Sequence, residues 1–440
     1  MVHATPHVVI VGGGFAGLWC ARALAGAPVR ITLVDKSNHH LFQPLLYQVA
    51  TAGLSAPDIA APLRHILRGQ RNVRVLMAEV TAIDIENKQV QGQGQGAGAS
   101  QSLPYDHLVV ASGAAHAYFG HSEWAPHAPG LKTLDDALTI RRRVLLAFER
   151  AEAATDEEER RACLHFAIVG GGPTGVELAG ALAEIARYTL RHEFRHADPR
   201  QATVRLIEAG PSPLSSFPPA LQKRTVAQLT SLGVEVSCGI PVADITDQGY
   251  TLGDQFVPCR TVLWAAGVAA SPLGTMLGVP LDRAGRVMVN PDLTIANHAD
   301  VFVAGDLASI SQADGRPVPG VAPAAKQMGT HVARNLRALW AGKGSQPFVY
   351  VDHGNLATIG RMAAVVDVKG FQLSGPLAWW FWLAAHVFFL IGFRNRVSVL
   401  FNWAVAYWTH QRGARIVLGQ DAAPETPRSN GRKTARVPAG

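Results

Sequence analysis

The stretches VGGGFAG at residues 11–17 and VGGGPTG at 169–175 repeat one local design, and they restrict the possible folds more than any other part of the 440-residue chain. Each follows a short apolar, β-branched run, HVVIVGGG and HFAIVGGG, which reads as a buried strand closed by glycine. Each then opens into helically spaced apolar residues, FAGLWCARALAG ending at Gly26 and PTGVELAGALAEIARYTL. A second strand follows both, VRITLVDK and TVRLIEAG, so each copy is a βαβ unit.

The glycines have separate jobs. Gly12 and Gly170 make the tight strand-to-helix turn, Gly14 and Gly172 let the backbone approach a diphosphate, and Gly17 and Gly175 permit close helix packing. The helix N-terminus adds unpaired N–H groups and a partial positive charge. Asp35 and Glu208 close the second strands, where a carboxylate accepts hydrogen bonds from a ribose diol. Two cradles predict two dinucleotides, and the economical pair is FAD with NAD(H). Glu208 favours a free 2′-hydroxyl and repels a 2′-phosphate, and no arginine follows it in EAGPSP, so NADH is expected rather than NADPH. The later run VFVAGD sets Asp306 after a strand, in position for ribityl hydroxyls.

Several other chemistries lack their residues. Cys20, Cys163, Cys238 and Cys259 are scattered and form neither CxxC nor a metal-ligand spacing, so they read as reduced thiols of a cytosolic chain. The adjacent His39 and His40 have no suitably spaced third ligand, and no metal is predicted. The net charge of +7 comes from dispersed sources such as RRR at 141–143 and a basic tail. No Lys/Arg block is interleaved with aromatics, so nucleic acid is not an expected partner. A strand begins at about residue 7 with no basic segment ahead of it, which predicts no signal or transit peptide.

Only 17% of the residues are charged, against roughly 25% in an average soluble domain. In PLAWWFWLAAHVFFLIGFRNR, residues 376–396, His386 is the sole polar side chain between Leu377 and Phe393. A helix apolar all round is either a core helix or one in contact with lipid. Trp379, Trp380, Trp382, Trp403 and Trp408 cluster there, as tryptophans do at membrane interfaces. About 17 residues rise some 26 Å, short of the roughly 30 Å hydrocarbon core, so spanning requires a thinned bilayer. In the next segment, VSVLFNWAVAYWTHQR, Ser398, Asn402 and Thr409 share one narrow stripe beside a wide apolar face. That pattern, with Arg394 and Arg396 reaching toward headgroups, belongs to a helix lying in the interface.

The expected fold class is therefore α/β: two Rossmann-like dinucleotide-binding domains, the second inserted in the first, plus a C-terminal membrane-associated helical segment. The expected limits are 1–130 and 286–345 for the FAD-binding domain, 131–285 for the inserted NADH-binding domain, 346–418 for the anchoring region, and 419–440 for a disordered tail. Within them, QGQGQGAGAS reads as a hairpin loop, a charged helix ends in TDEEERRA, LATIGRMAAVVDVKG reads as a strand-like piece, and AAKQMGTHVARNLRALW as a helix.

The motifs HHLFQPLLYQVATAGLS, GGGPTGVELAG, WAAGV at 264–268, AGD, GVAPAAKQMG and FLIGFRNR together resemble the two-dinucleotide-binding flavoproteins. Within that superfamily the chain is similar, over roughly residues 7–418, to the type II NADH dehydrogenases, which are single-subunit NADH:quinone oxidoreductases. The resemblance implies hydride transfer from NADH to flavin, then two electrons to a membrane quinone without proton pumping. It also implies monotopic attachment to the bilayer surface through residues 376–412, at the cytoplasmic face of the inner (plasma) membrane, and leaves a homodimer open.

Carried over residue by residue, the resemblance makes Gln43 and Pro44 flavin-lining and adds Lys36, Val80, Ser112, Gly113, Thr174, Ala266, Gly267 and Ala322 as cofactor-binding positions. Glu177 matches a glutamate placed near nicotinamide and flavin; its other reading is a first-turn residue favoured by the helix dipole. The family's quinone motif AQxAxQ appears as APAAKQ at 322–327, so Gln327 matches the second glutamine and Pro323 replaces the first. Lys326 offers an ammonium beside the site, or is a surface lysine. Glu177, Lys326 and Gln327 are thus the catalytic candidates. Disulfide reductases of the superfamily need a cysteine pair at the flavin, and its absence points to an outside acceptor. A soluble reductase feeding a protein acceptor and a non-catalytic NAD-sensing flavoprotein are the competing readings.

Overall fold

In the computed structural model, which describes residues 5–94, 100–312, 314–409 and 411–417, β1 (His7–Val11) is buried at every position. An apolar run without alternation suits a parallel strand covered on both faces. α1 (Phe15–Ala23) returns the chain to β2 (Arg30–Asp35), parallel to β1. The short helices α2 (Leu46–Ala50) and α3 (Ala56–Ile59) precede a long strand, β3 (Val73–Asp84), which pairs with β2. The predicted hairpin continues the sheet as β4 (Gln89–Gly94) and β5 (Ser100–Pro104), its tip outside the described residues. β6 (His107–Val110) joins the other side of β1.

A single charged helix ending in TDEEERRA is expected, but two form. α4 (Leu134–Ala153) ends, and Asp156 caps α5 (Glu157–Cys163) by accepting the Glu159 N–H at 2.9 Å. Aspartate is poor inside a helix and good at its N-cap, so the acidic run restarts the helix rather than extending it. The second parallel sheet follows: β7 (His165–Val169), α6 (Pro173–Glu184), β8 (Thr203–Glu208), β9 (Val234–Cys238) and β10 (Thr261–Trp264), ordered β9-β8-β7-β10. The chain then returns to the first sheet through β11 (Thr294–Ile295) and β12 (His298–Val303), which pairs with β6. The second unit is thus intercalated in the first, as the sequence predicts.

α7 (Ala322–Trp340) packs on α1 so closely that a Cβ on Gly329 would collide with the Ala16 carbonyl. An antiparallel meander, β13 (Asn355–Gly360), β14 (Ala363–Val368) and β15 (Phe371–Ser374), rests on α6, where a Cβ on Gly180 would collide with the Ile359 carbonyl. Two helices end the described fold: α8 (Pro376–Phe389) and α9 (Phe393–Thr409), separated by Gly392 at φ +92°. Among the described residues, no helix is long and apolar enough to cross a membrane.

Both helices turn apolar side chains outward, and α8 is apolar on its buried face as well. Ala378, Trp382, Leu390 and Val399 are buried in the main core, while Leu377, Trp380, Phe388, Phe401 and Trp408 face outward, Trp408 at 82% exposure. Two residues of the α9 polar stripe face the protein: Ser398 Oγ donates to Asp58 Oδ1 at 2.5 Å and Asn402 Nδ2 to Asp58 Oδ2 at 3.2 Å, while Thr409 is exposed and donates to Val405 O at 2.8 Å. Arg396 turns back to donate to the Leu390 and Phe388 carbonyls at 2.9 and 2.8 Å, capping α8 instead of extending to a headgroup. Of the five clustered tryptophans, Trp380 and Trp408 are exposed, whereas Trp403 donates its indole N–H to Gln48 Oε1 at 2.7 Å.

Candidate active site

Both glycine turns have the same construction. The Gly12 N–H donates to Val34 O at 2.7 Å and the Gly170 N–H to Ile207 O at 2.7 Å, so each turn begins inside its sheet. Gly12 and Gly170 hold φ +105° and +110°, beyond the reach of ordinary side-chain-bearing residues. A Cβ on Gly17 would collide with Gly12 O, and one on Gly175 with Gly170 O. A Cβ on Gly14 or Gly172 meets nothing within 4 Å, because these two face open room at the helix N-termini.

The acids are fixed by backbone. Asp35 accepts the Gly13 and Ser37 N–H groups, both at 2.6 Å; Glu208 accepts those of Gly171 at 2.6 Å and Gly210 at 2.7 Å. Burial lifts the Asp35 carboxyl above its usual range, against the pull of its two N–H donors. Across the first cradle, Ser112 Oγ is buried without a hydrogen-bond partner and Gly113 borders open space. An orphaned hydroxyl beside a roomy cradle fits a bound dinucleotide. At the second cradle Thr174 stands half-buried in the first turn of α6, the Ala266 backbone closes on Gly170, and Gly267 lies under the Phe119 ring.

The segment before α2 is a single 3-10 turn from Gln43 to Leu45, with Pro44 in its first positions. Gln43 Nε2 donates to Lys132 O at 3.2 Å, and Lys132 Nζ lies 3.4 Å from Asp306 Oδ2. Lys132 thereby joins Gln43 to Asp306, although nothing in its sequence surroundings marks it. Lys36 is exposed just after Asp35, Val80 is buried in β3 opposite Gly92, and Ala322 opens α7.

A cavity of about 470 Å³ lies among α2, α6, β13 and the two C-terminal helices, lined in part by Tyr47, Glu177, Glu184, Trp382, Trp403 and Arg412. Burial holds the Glu177 carboxyl well above its ordinary 4.5, while a backbone hydrogen bond at Thr358 pulls the other way. The carboxyl therefore favours its proton-bearing form more than a solvent-exposed glutamate does, in an aromatic setting. Trp403, Gln48 and Tyr47 form a hydrogen-bonded row, with Gln48 Nε2 donating to Tyr47 Oη at 2.8 Å. Arg412 closes one side, 3.1 Å from Glu184 Oε2 and donating to Thr51 O at 2.7 Å. The buried Trp382 indole N–H has no partner.

Lys326 and Gln327 are not in that lining. Lys326 Nζ sits 5.2 Å from the Trp19 ring centroid and 5.5 Å from that of Phe389, and desolvation with nearby Arg22 lowers its pKa. Gln327 spends its amide on Val351, donating to the carbonyl and accepting the N–H, both at 2.9 Å. α8 connects the two neighbourhoods: Trp382 in the cavity, His386 with its ring 6.3 Å from Phe42, and Phe389 against Lys326. Cys20, Cys163 and Cys259 are buried, Cys238 partly, and none is bonded to another. Burial pushes the Cys20 and Cys259 thiols up to about 12 and Cys163 to about 11, away from the thiolate form that a redox relay uses. The adjacent His40 bonds Gly13 O at 3.0 Å and His39 bonds Asn38 Oδ1 at 3.1 Å.

Residues 6–329 match the pyridine nucleotide-disulphide oxidoreductase family, and residues 353–409 match the NDH2 C-terminal domain. The chain is 44% identical over 432 residues to the type II NADH:quinone oxidoreductase Ndh of Mycobacterium tuberculosis, covering 96% of this chain and 92% of the relative. It is 31% identical to the demethylphylloquinone reductase NdbB of Synechocystis, covering 92% and 96%. The solved structure of NDH2 from Plasmodium falciparum in complex with NADH superposes with a TM-score of 0.87 over 94% of this chain and all of that one; at 18% identity it supports the fold alone. Matched in both segments and along nearly its full length, the chain belongs to the type II NADH:quinone oxidoreductase family.

Proposed function

We propose that this chain oxidises NADH at the second cradle through FAD held at the first, and delivers two electrons to a quinone drawn from a membrane surface. One observation carries the reading: two matched cradles without a cysteine pair stand beside an aromatic cavity that is lined by the buried Glu177 carboxyl and walled by the outward-greasy C-terminal helices. The domain limits read from the sequence, 1–130, 131–285, 286–345 and 346–418, are part of this proposal.

Bound FAD supplies the two-electron relay that no side chain here provides. The chain's own residues hold and orient. Gly12, Gly14, Gly17 and the α1 N-terminus take the flavin diphosphate, Asp35 a ribose, Ser112 and Gly113 the neighbouring wall, and Gln43, Pro44 and the Lys132–Asp306 pair the remainder. Gly170, Gly172, Gly175, Thr174, Ala266, Gly267 and Glu208 do the same for NADH. Rigid cradles suit hydride transfer, which needs reacting atoms about 3–3.5 Å apart more than it needs an acid or base. Quinone reduction does consume protons, and Glu177, whose burial favours the proton-bearing carboxyl, lines the cavity. Lys326 contributes positive charge next to α8, and Gln327 acts by holding Val351.

α8 and α9 both turn large apolar side chains outward, as helices that seek a lipid interface do, so the attachment is monotopic. It lies on the cytoplasmic face, where soluble NADH is found. Whether two chains pair is a matter for sedimentation. The test is NADH oxidation by FAD-loaded protein with a short-chain quinone: quinone-dependent turnover is expected, and its absence with flavin bound would sink the reading.

A further inference from the structure

β7 and β10 flank the point where the second sheet reverses its strand order, and ligands of open parallel sheets lie outside the carboxyl ends of such strands. Glu208 marks the β8 side of this crevice as the ribose side, so the part of a dinucleotide beyond the diphosphate crosses toward β10. There the chain runs Ala265–Ala266–Gly267 and enters a ribbon in which Val268–Ala270 pairs with Ala114–His116.

Phe119 sits on this exit. Its side chain is 68% exposed, its backbone holds φ +53°, and its ring lies so close to Gly267 that a Cβ there would collide with it. A bulky aromatic residue in the left-handed region is strained, and such strain persists where the surroundings over-determine it. Here the surroundings are visible. The Ala117 N–H donates to Gly267 O at 3.2 Å, and Ala117 O accepts the Trp264 indole N–H at 2.8 Å. Tyr118 stacks on Trp264 at 5.1 Å and donates its hydroxyl to Ala128 O at 2.8 Å. Gly120 follows at φ +99°. Residues on the N-terminal side are pinned, and the turn holds the ring outward over Gly267 instead of letting it bury.

We propose that Phe119 is a positioning residue for NADH: its ring, seated on Gly267 at the β10 exit, walls the nicotinamide half of the dinucleotide and keeps water from it. The inference rests on NADH occupying the second cradle and is independent of the quinone.

The test is anaerobic flavin reduction in the FAD-loaded protein, followed by absorbance against NADH concentration. Phe119→Ala is expected to raise the half-saturating NADH concentration roughly tenfold, as for loss of one aromatic contact, with flavin content and quinone KM unchanged. Gly267→Ala displaces the ring and is expected to act in the same direction. Phe119→Gly accepts φ +53° without strain, so it should melt higher than the parent while binding NADH more weakly. Parental NADH dependence in Phe119→Ala or Phe119→Gly overturns the proposal. A parent protein whose flavin NADH does not reduce contradicts the cradle assignment instead.

Discussion

The side chain of Gln327 and the backbone of Val351 exchange two hydrogen bonds of 2.9 Å, as two strands of a sheet would. The amide thereby stitches the extended segment before β13 onto α7, and Asn335 repeats the device further along by donating to Gln346 O and accepting its N–H, both at 3.0 Å. Glutamate at 327 cannot donate and sets a charge against the Val351 carbonyl. Gln327→Glu should therefore lower stability by roughly 0.5–1.5 kcal/mol and reduce turnover. Calorimetry beside quinone kinetics checks it: a raised quinone KM with an unchanged melting temperature would show direct contact with the acceptor instead.

Glu177 predicts an unusual dependence of stability on pH. Below its ordinary value of 4.5, folded and unfolded chains both hold the proton and the group is neutral in the balance. Above it the unfolded chain ionises while the folded carboxyl does not, so stability falls as pH rises until the folded group itself ionises. Glu177→Gln removes that loss. The variant should melt higher than the parent at about pH 8, with the gap closing near pH 5. Quinone reduction by the variant should fall while NADH-driven flavin reduction persists.

The cradles were legible because their meaning is local: three glycines at fixed spacing, a strand before and an acid after, and Gly14 and Gly172 do face open room. The C-terminal helices were legible as one apolar all round and one with a polar stripe, but not in orientation. Whether Ser398 and Asn402 meet headgroups or protein depends on Asp58, more than 300 residues earlier, and only the tertiary fold joins them. Trp382 and Trp403 counted with the interfacial tryptophans for the same reason. Lys132 and Phe119 carry no motif; each takes its place from a chain crossing between the two sheets.

The open room at Gly172 makes a sharper test than the glycines that cannot change. Gly175→Ala collides with Gly170 O and should cost stability outright. A methyl on Gly172 meets nothing within 4 Å in the protein, so the fold and flavin content should survive, while NADH loses its closest backbone approach. Half-saturation by NADH should rise at least tenfold in Gly172→Ala with little change in melting temperature. Gly14→Ala should instead reduce flavin retention, read as the absorbance ratio after gel filtration. Equal effects of both changes on flavin content would contradict the assignment of one dinucleotide to each cradle.

Membrane attachment is best tested on the outward face alone. Deleting α8 and α9 would also strip Ala378, Trp382, Leu390 and Val399 from the core and leave Asp58 without Ser398 and Asn402, so loss of binding would be confounded with unfolding. Trp380, Phe388, Phe401 and Trp408 point away from that core. Their exposed rings contribute little to the fold, yet burying each in a lipid interface is worth roughly 1–3 kcal/mol. Changing all four to serine should abolish sedimentation with vesicles while the melting temperature and NADH-driven reduction of ferricyanide stay at parental levels. Turnover with a long-chain quinone in vesicles should then fall far more than turnover with a short-chain quinone in solution, because only the former requires the cavity beside Glu177 to meet the bilayer. A quadruple variant that still sediments with vesicles would place the attachment elsewhere on the chain.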